Sequence, residues 1–129
     1  MPHISVIIPV YNAGNYIVDT LNSVLQQTLK DIEVIVVNDG SNDQSLAECY
    51  RLQEIDKRII IINQDNQGVS KARNVGKQNA TGDYIIFIDP DDMVRPNYFS
   101  SVKNLLETAN VDIGIFGFHQ IVEDENGRV

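Results

Sequence analysis

Apolar runs alternate with helical spacing along the chain. ISVIIPV (4–10), IEVIVVN (32–38), RIIIIN (58–63), DYIIFID (83–89) and VDIGIFGF (111–118) are rich in Val and Ile and bounded by polar residues. Each run predicts a strand, and the unbroken apolar stretches predict a sheet covered on both faces. Between the first two, Ile17, Leu21, Val24, Leu25 and then Thr28 or Leu29 follow the spacing of an amphipathic helix. Tyr98, Val102, Leu105, Leu106 and Ala109 do the same, with Pro96 placed for a first helical turn. Val69, Ala72, Gly76 and Ala80 give a face of small residues suited to close packing on a sheet. A weaker helix over 43–56 is carried by Leu46, Cys49 and Tyr50. The order β-α-β-α-β-α-β-α-β predicts an α/β domain, a mostly parallel sheet flanked by helices with right-handed crossovers.

Composition adds bounds. The chain has 129 residues, enough for one domain with a real core. It is 43% hydrophobic and 22% charged, ordinary for a folded protein. A net charge of −8 argues against a nucleic-acid partner. The single cysteine, Cys49, excludes an intrachain disulfide and fits a reducing compartment. No basic-then-apolar leader opens the chain, and its longest apolar runs are too short to span a bilayer. The expected location is the cytoplasm or the inner face of the membrane.

In parallel sheets of this kind a ligand sits beyond the carboxyl ends of the strands, where strand order reverses. The segments just after the strands are PVYN, NDGSND, NQDNQG and DPDD, all polar and rich in Asn or Asp. Asp89, Asp91 and Asp92 lie within four positions. At ~4 Å and an effective dielectric near 20, one carboxylate pair costs about 4 kcal/mol. A divalent cation turns that repulsion into attraction, and hard oxygen ligands suit Mg²⁺ or Mn²⁺. The competing reading is a solvated acidic turn around Pro90. Asp39 ends the second strand and Gly40 allows a sharp turn. A following N-cap from Ser41 or Asn42 explains Gly40 to Asp43 without requiring Asp39. A carboxylate at that strand tip could accept the N3–H of uracil, a match cytosine fails. Gly68 precedes a helix with Lys71 and Arg73 near its start, where cations oppose the macrodipole. An anionic or carbonyl-bearing ligand would account for them; a solvated basic face is the plainer alternative, better for Lys71 than for Arg73. Tyr11 directly follows the first strand, where its ring could stack on a base or simply line the rim. No G-x-G-x-x-G follows that strand and no G-x-x-x-x-G-K-[ST] occurs. Dinucleotide oxidoreductases and P-loop NTPases are therefore disfavoured.

Taken in order, SVIIPVYNAGNYI, IEVIVVNDGSND, NQGVSKARNVG and GDYIIFIDPDD resemble a family 2 glycosyltransferase of the Rossmann-like GT-A fold, over residues 5–92. The resemblance implies a nucleotide-diphosphate sugar donor, usually UDP-linked, a divalent metal, and a carbohydrate or lipid-linked acceptor. Carried over by position, Pro9, Tyr11 and Asn12 surround the nucleoside, with Tyr11 against the base. Asp39 takes the base N3–H. Arg73 faces the base or diphosphate, and Gly68 allows close backbone approach. Asp89 bonds the ribose hydroxyls, Asp91 holds Mn²⁺ or Mg²⁺, and Asp92 assists through water. The implied reaction inverts the anomeric carbon, with a carboxylate base on the acceptor hydroxyl. Of the later carboxylates, Glu107 falls on a helix, Asp112 opens a strand, and Glu123, Asp124 and Glu125 lie in a polar turn. None is assigned as the base, which is expected beyond Val129. Residues 1–129 are thus expected to be the donor-binding part of a longer catalytic domain, truncated and inactive alone.

Three other readings compete. FIDPDD resembles the Asp-x-Asp of a haloacid-dehalogenase-like phosphatase, but that motif opens its domain, whereas here it ends the fourth strand. Met93 also stands where that family places Thr or Val shortly after the second Asp. A phospho-receiver domain needs an acidic pair after the first strand, and PVYN has none. A non-catalytic, metal-dependent nucleotide-binding fragment is the third.

Overall fold

Four strands, β1 (Ile4–Val10), β2 (Ile32–Asp39), β3 (Ile59–Gln64) and β4 (Tyr84–Phe87), pair in parallel in the order β3-β2-β1-β4. The computed structural model describes residues 2–109. The fifth predicted strand, over 111–118, lies outside them, as do Asp112, Glu123, Asp124 and Glu125. Helices α1 (Tyr16–Leu25), α2 (Ser45–Ile55), α3 (Val69–Asn79) and α4 (Tyr98–Ala109) alternate with the strands. None of the described helices is long and apolar enough to cross a membrane.

β1 and β2 are buried along their whole length. Alternation sends Ile4, Val6, Ile8 and Val10 to one face, with Ile17, Leu21 and Val24 of α1 and Phe99 of α4. Ile7, Ile35 and Val37 form a second cluster on the opposite face with Ala72 of α3. Coverage of both faces therefore holds for the central strands. It fails on β3, where Ile60 is 40% exposed, because β3 is an outer strand. α3 approaches closely at Gly76, where a Cβ would lie 2.4 Å from Ile7 Cγ2. Val69, expected on that packing face, is instead exposed.

Helix boundaries depart from the periodicity where tertiary hydrogen bonds intervene. α1 stops at Leu25, short of Thr28 and Leu29. The Thr28 N–H donates to Pro96 O (2.8 Å), so the chain leaves the helix to bond a distant segment. Ser41 and Asn42 do not cap α2, which begins at Ser45. Ser41 Oγ accepts the Asn12 N–H (3.0 Å), the Asn42 N–H donates to Asn12 Oδ1 (2.8 Å), and the Ser45 N–H donates to Asp43 Oδ1 (2.9 Å). α4 begins at Tyr98, two residues after Pro96, and Leu105 points to solvent while Tyr98, Val102 and Leu106 are buried.

One face of α1 carries a polar strip that periodicity of apolar residues could not reveal. Thr20 Oγ1 donates to Pro90 O (2.8 Å), and Ser23 Oγ accepts the Val94 N–H (3.2 Å). Just past the helix, Gln27 Nε2 donates to Arg95 O (2.5 Å) and Gln27 Oε1 accepts the Phe99 N–H (2.9 Å). Thr20 and Gln27 are fully buried. The irregular segment after β4 is thereby hydrogen-bonded by α1 and its exit, satisfying backbone groups that have no strand or helix of their own.

At the other end of the sheet, Glu33 accepts from Ser5 Oγ (2.5 Å), the Thr81 N–H (2.6 Å) and Thr81 Oγ1 (3.0 Å). Ser5 Oγ in turn accepts the Gly82 N–H (2.8 Å). This latch ties the turn before β4 to β1 and β2. Burial raises the Glu33 carboxyl, but the hydrogen bonds from Ser5, Thr81 and Gly82 outweigh it and hold the group below its ordinary value.

Burial, with a smaller contribution from Glu48, pushes the Cys49 thiol up to about 12. The thiolate is the reactive form. Native protein at pH ~8 should therefore resist iodoacetamide and label only as urea unfolds it. Labelling of the folded chain at the rate of a free thiol would contradict this.

Candidate donor site

The four strands end on one edge, and strand order reverses at β1, which has β2 on one side and β4 on the other. A crevice is expected there. Two adjoining hollows occupy it. The first, of about 350 Å³, is lined by Pro9, Val10, Tyr11, Asp39, Asn66, Gly68, Val69 and Pro90. The second, of about 420 Å³, is lined by Tyr11, Asn12, Ala13, Gly14, Tyr16, Asp89, Pro90 and Asp91. Tyr11 and Pro90 belong to both.

Pro9, Tyr11, Asp39 and Gly68 thus meet in the first hollow, and Asn12, Asp89 and Asp91 in the second. Tyr11 is half exposed, so its ring is open to a ligand. Asp39 is buried and its carboxylate is well satisfied. Gln64 Nε2 (2.9 Å) and the Gln67 N–H (2.8 Å) donate to Oδ1, and the Gly68 N–H (3.0 Å) donates to Oδ2. Burial raises this carboxyl, yet those three donors together hold it below the usual range. Gly68 can sit there because its φ of +99° is one that side chains with a Cβ rarely adopt. Gly40 serves the same loop: a Cβ on it would lie 2.8 Å from Asn66 N.

Asn12 takes a left-handed conformation (φ +49°) between its two bonds to the loop after β2. The Gly14 N–H adds bonds to Asp43 Oδ2 (3.0 Å) and Ser45 Oγ (3.1 Å), so the loops after β1 and β2 are stitched together. Hydrogen bonds from Ser45 and Gly14 hold the Asp43 carboxyl low against its burial.

Arg73 does not line either hollow. Its Nη2 donates to Asp89 Oδ1 (3.1 Å), and Asp89 Oδ2 accepts no hydrogen bond from the described residues. Arg73 Nε is buried without a partner among the described residues. The cation that looked misplaced near the start of α3 therefore has a carboxylate of its own chain beside it. Lys71 is exposed. Asp91 is exposed, faces the second hollow and makes no hydrogen bond or ion pair with the described residues. The Asp92 N–H closes the turn on Asp89 O (3.1 Å).

Sequence reading missed Tyr16, Asn66 and Val69 as wall residues and Gln64 as a partner of Asp39. Asn66 and Gln64 stood in the quoted NQDNQG, but nothing in a single sequence says which amide faces which strand tip.

A family model described as Glycosyl transferase family 2 matches residues 5–129. Glycosyltransferase GlyA of Streptococcus pneumoniae is 41% identical over 95% of this chain and 18% of its own length. The uncharacterized glycosyltransferase EpsJ of Bacillus subtilis is 42% identical over 100% of this chain and 38% of its own. The chain thus spans well under half of these relatives. Among solved structures, S. aureus TarS 1–349 in complex with UDP-GlcNAc superposes with a TM-score of 0.74 at 30% identity, over 84% of this chain and 32% of that one. The parallel sheet flanked by helices is that of the GT-A glycosyltransferases. With the match covering nearly its whole length, the chain belongs to glycosyl transferase family 2.

Proposed function

We propose that residues 1–129 are the donor-binding part of a GT-A catalytic domain. The parent protein transfers a sugar from a UDP-sugar to a carbohydrate or lipid-linked acceptor, with inversion at the anomeric carbon, in the cytoplasm or at the inner face of the membrane. The observation that carries this is the pair of hollows sharing Tyr11 and Pro90, one holding Asp39 and the other Asp89 and Asp91. Likeness to TarS, solved with UDP-GlcNAc and with UDP at about 30% identity, supports uridine as the nucleoside.

Tyr11 stacks on the base and Pro9 backs it. Asp39 accepts the base N3–H, and the backbone at Gly68 lets the nucleotide approach. Asn12 orders the loop that presents Tyr11. Asp89 accepts from the ribose hydroxyls through the oxygen that Arg73 leaves open, and Arg73 steadies Asp89 and lowers the negative charge near the diphosphate. The donor set at Asp91 fits a hard divalent cation: an open carboxylate beside a hollow with room for water and phosphate oxygens. Among the described residues no three acidic, His or Cys side chains gather to enclose an ion, so the rest of the shell would have to come from water and the ligand. Mn²⁺ or Mg²⁺ bound there supplies Lewis-acid stabilisation of the departing nucleoside diphosphate. Glu107 pairs with Lys103 (3.1 Å) on α4 and is not assigned as the acceptor base. That base belongs to the parent protein past Val129.

UDP at a hundredfold its Kd should stabilise the chain by about 2.7 kcal/mol, several degrees in melting temperature, and only with Mn²⁺ or Mg²⁺ present. Asp91→Asn should remove this shift and leave the unliganded melting temperature unchanged. A shift of equal size without metal, or none at all, would sink the reading.

A further inference from the structure

We propose that Gln64 is a positioning residue that sets base specificity: by filling the last acceptor position on Asp39 Oδ1 it admits uracil and excludes guanine. This rests on the donor-site reading above. Gln64 and Asp39 are the last residues of neighbouring strands and lie in register. A carboxylate offers about four acceptor positions, two on each oxygen. Gln64 Nε2 and the Gln67 N–H use both on Oδ1, and the Gly68 N–H uses one on Oδ2. With respect to the described residues one acceptor position remains, on Oδ2, in a residue that lines the first hollow. The Gln64 amide can present only its NH₂ to Asp39, because its oxygen would set acceptor against acceptor.

A single open acceptor discriminates among the bases. Uracil presents one N–H flanked by two carbonyls, so it asks for one acceptor. Guanine presents N1–H and N2–H side by side and asks for both carboxylate oxygens. Binding guanine here means breaking the Gln64 bond or leaving a buried donor unpaired, which is costly. Cytosine and adenine can offer an exocyclic N–H, but they set a ring-nitrogen lone pair beside the carboxylate, which opposes that gain. Gln64 does not line either hollow, so its influence on the base passes through Asp39.

Calorimetry on the full chain with saturating Mn²⁺ compares UDP with GDP. The wild type should prefer UDP by more than about tenfold, the scale of one hydrogen bond to a charged group. Gln64→Met and Gln64→Leu, which lack the donor, should each narrow that preference by about tenfold, mainly through tighter GDP binding. Gln64→Lys keeps an N–H donor and should keep the wild-type ratio. Melting curves identify which variants fold, and one folded donor-less variant suffices. The proposal is overturned if the donor-less variants weaken both nucleotides equally, or if the wild type binds GDP as well as UDP. Loss of binding to both nucleotides in the wild type would instead remove the donor-site reading, and this proposal with it.

Discussion

Asp39→Ala should weaken UDP binding by at least about 100-fold, from the loss of a charge-assisted hydrogen bond to the base and of the loop that bond partners. Two effects combine. The alanine removes the acceptor for the base, and it frees Gln64 Nε2 and the backbone N–H groups of Gln67 and Gly68. Gln67 and Gly68 are exposed, so water can take their N–H groups. The stability loss should therefore stay near 2 kcal/mol rather than the full desolvation penalty of orphaned buried donors. Calorimetry with Mn²⁺ and UDP, beside a thermal melt of the free protein, separates the two. Affinity within about threefold of wild type would show that Asp39 is a loop anchor and nothing more. The same carboxylate gives a pH signature. Asp39, Glu33 and Asp43 are all held below their ordinary values in the folded chain. Their contribution is fully present above the unfolded carboxylate range near pH 4 and is lost as pH falls through the lower folded values. Wild-type melting temperature should thus fall steeply below about pH 4, and Asp39→Ala should show a shallower fall.

Gly76→Val should destabilise the fold by about 3 kcal/mol or more, at the upper end of overpacking costs. The position is buried on α3 against β1, and even a Cβ there would lie 2.4 Å from Ile7 Cγ2. Alanine regains about 1 kcal/mol of helix propensity, and valine less, so neither offsets the clash. A double-mutant cycle gives the mechanism. Ile7→Ala removes the opposing methyl, so Ile7→Ala with Gly76→Val should be more stable than the sum of the single losses predicts. Strict additivity in urea unfolding would mean that α3 shifts away from the sheet instead of clashing with it.

Much of this architecture could be read from residue order alone. The Val- and Ile-rich runs gave four strands within two residues of their bounds, and the polar segments after them marked the working edge. What could not be read depended on contacts between remote residues. α1 ends early because the Thr28 N–H finds Pro96, and α2 starts late because Ser41 and Asn42 are bonded to Asn12. Both are choices of hydrogen-bond partner that local propensity does not encode. Val69 and Leu105 fit a helical apolar pattern but lie just off the buried stripe, which periodicity resolves no better than one residue. At the site, the pattern brought Tyr11, Asp39, Asp89 and Asp91 to one edge. It was silent on Gln64, on Tyr16 and on the Arg73–Asp89 pair, because those depend on which side chains face each other across the crevice. The Glu33 latch was not legible because its partners, Ser5 and Thr81, lie far away in sequence.

The polar strip on α1 has a consequence for the geometry of recognition. Tyr11 lies on the short loop that feeds α1, and the stretch bearing Asp91 hangs from Thr20, Ser23 and Gln27 of the same helix and its exit. Both segments are thus tied to one helix, so α1 sets the positions of Tyr11 and Asp91 together. On the proposed donor reading, a ligand bridging Tyr11 and Asp91 would have to match a span set by that helix.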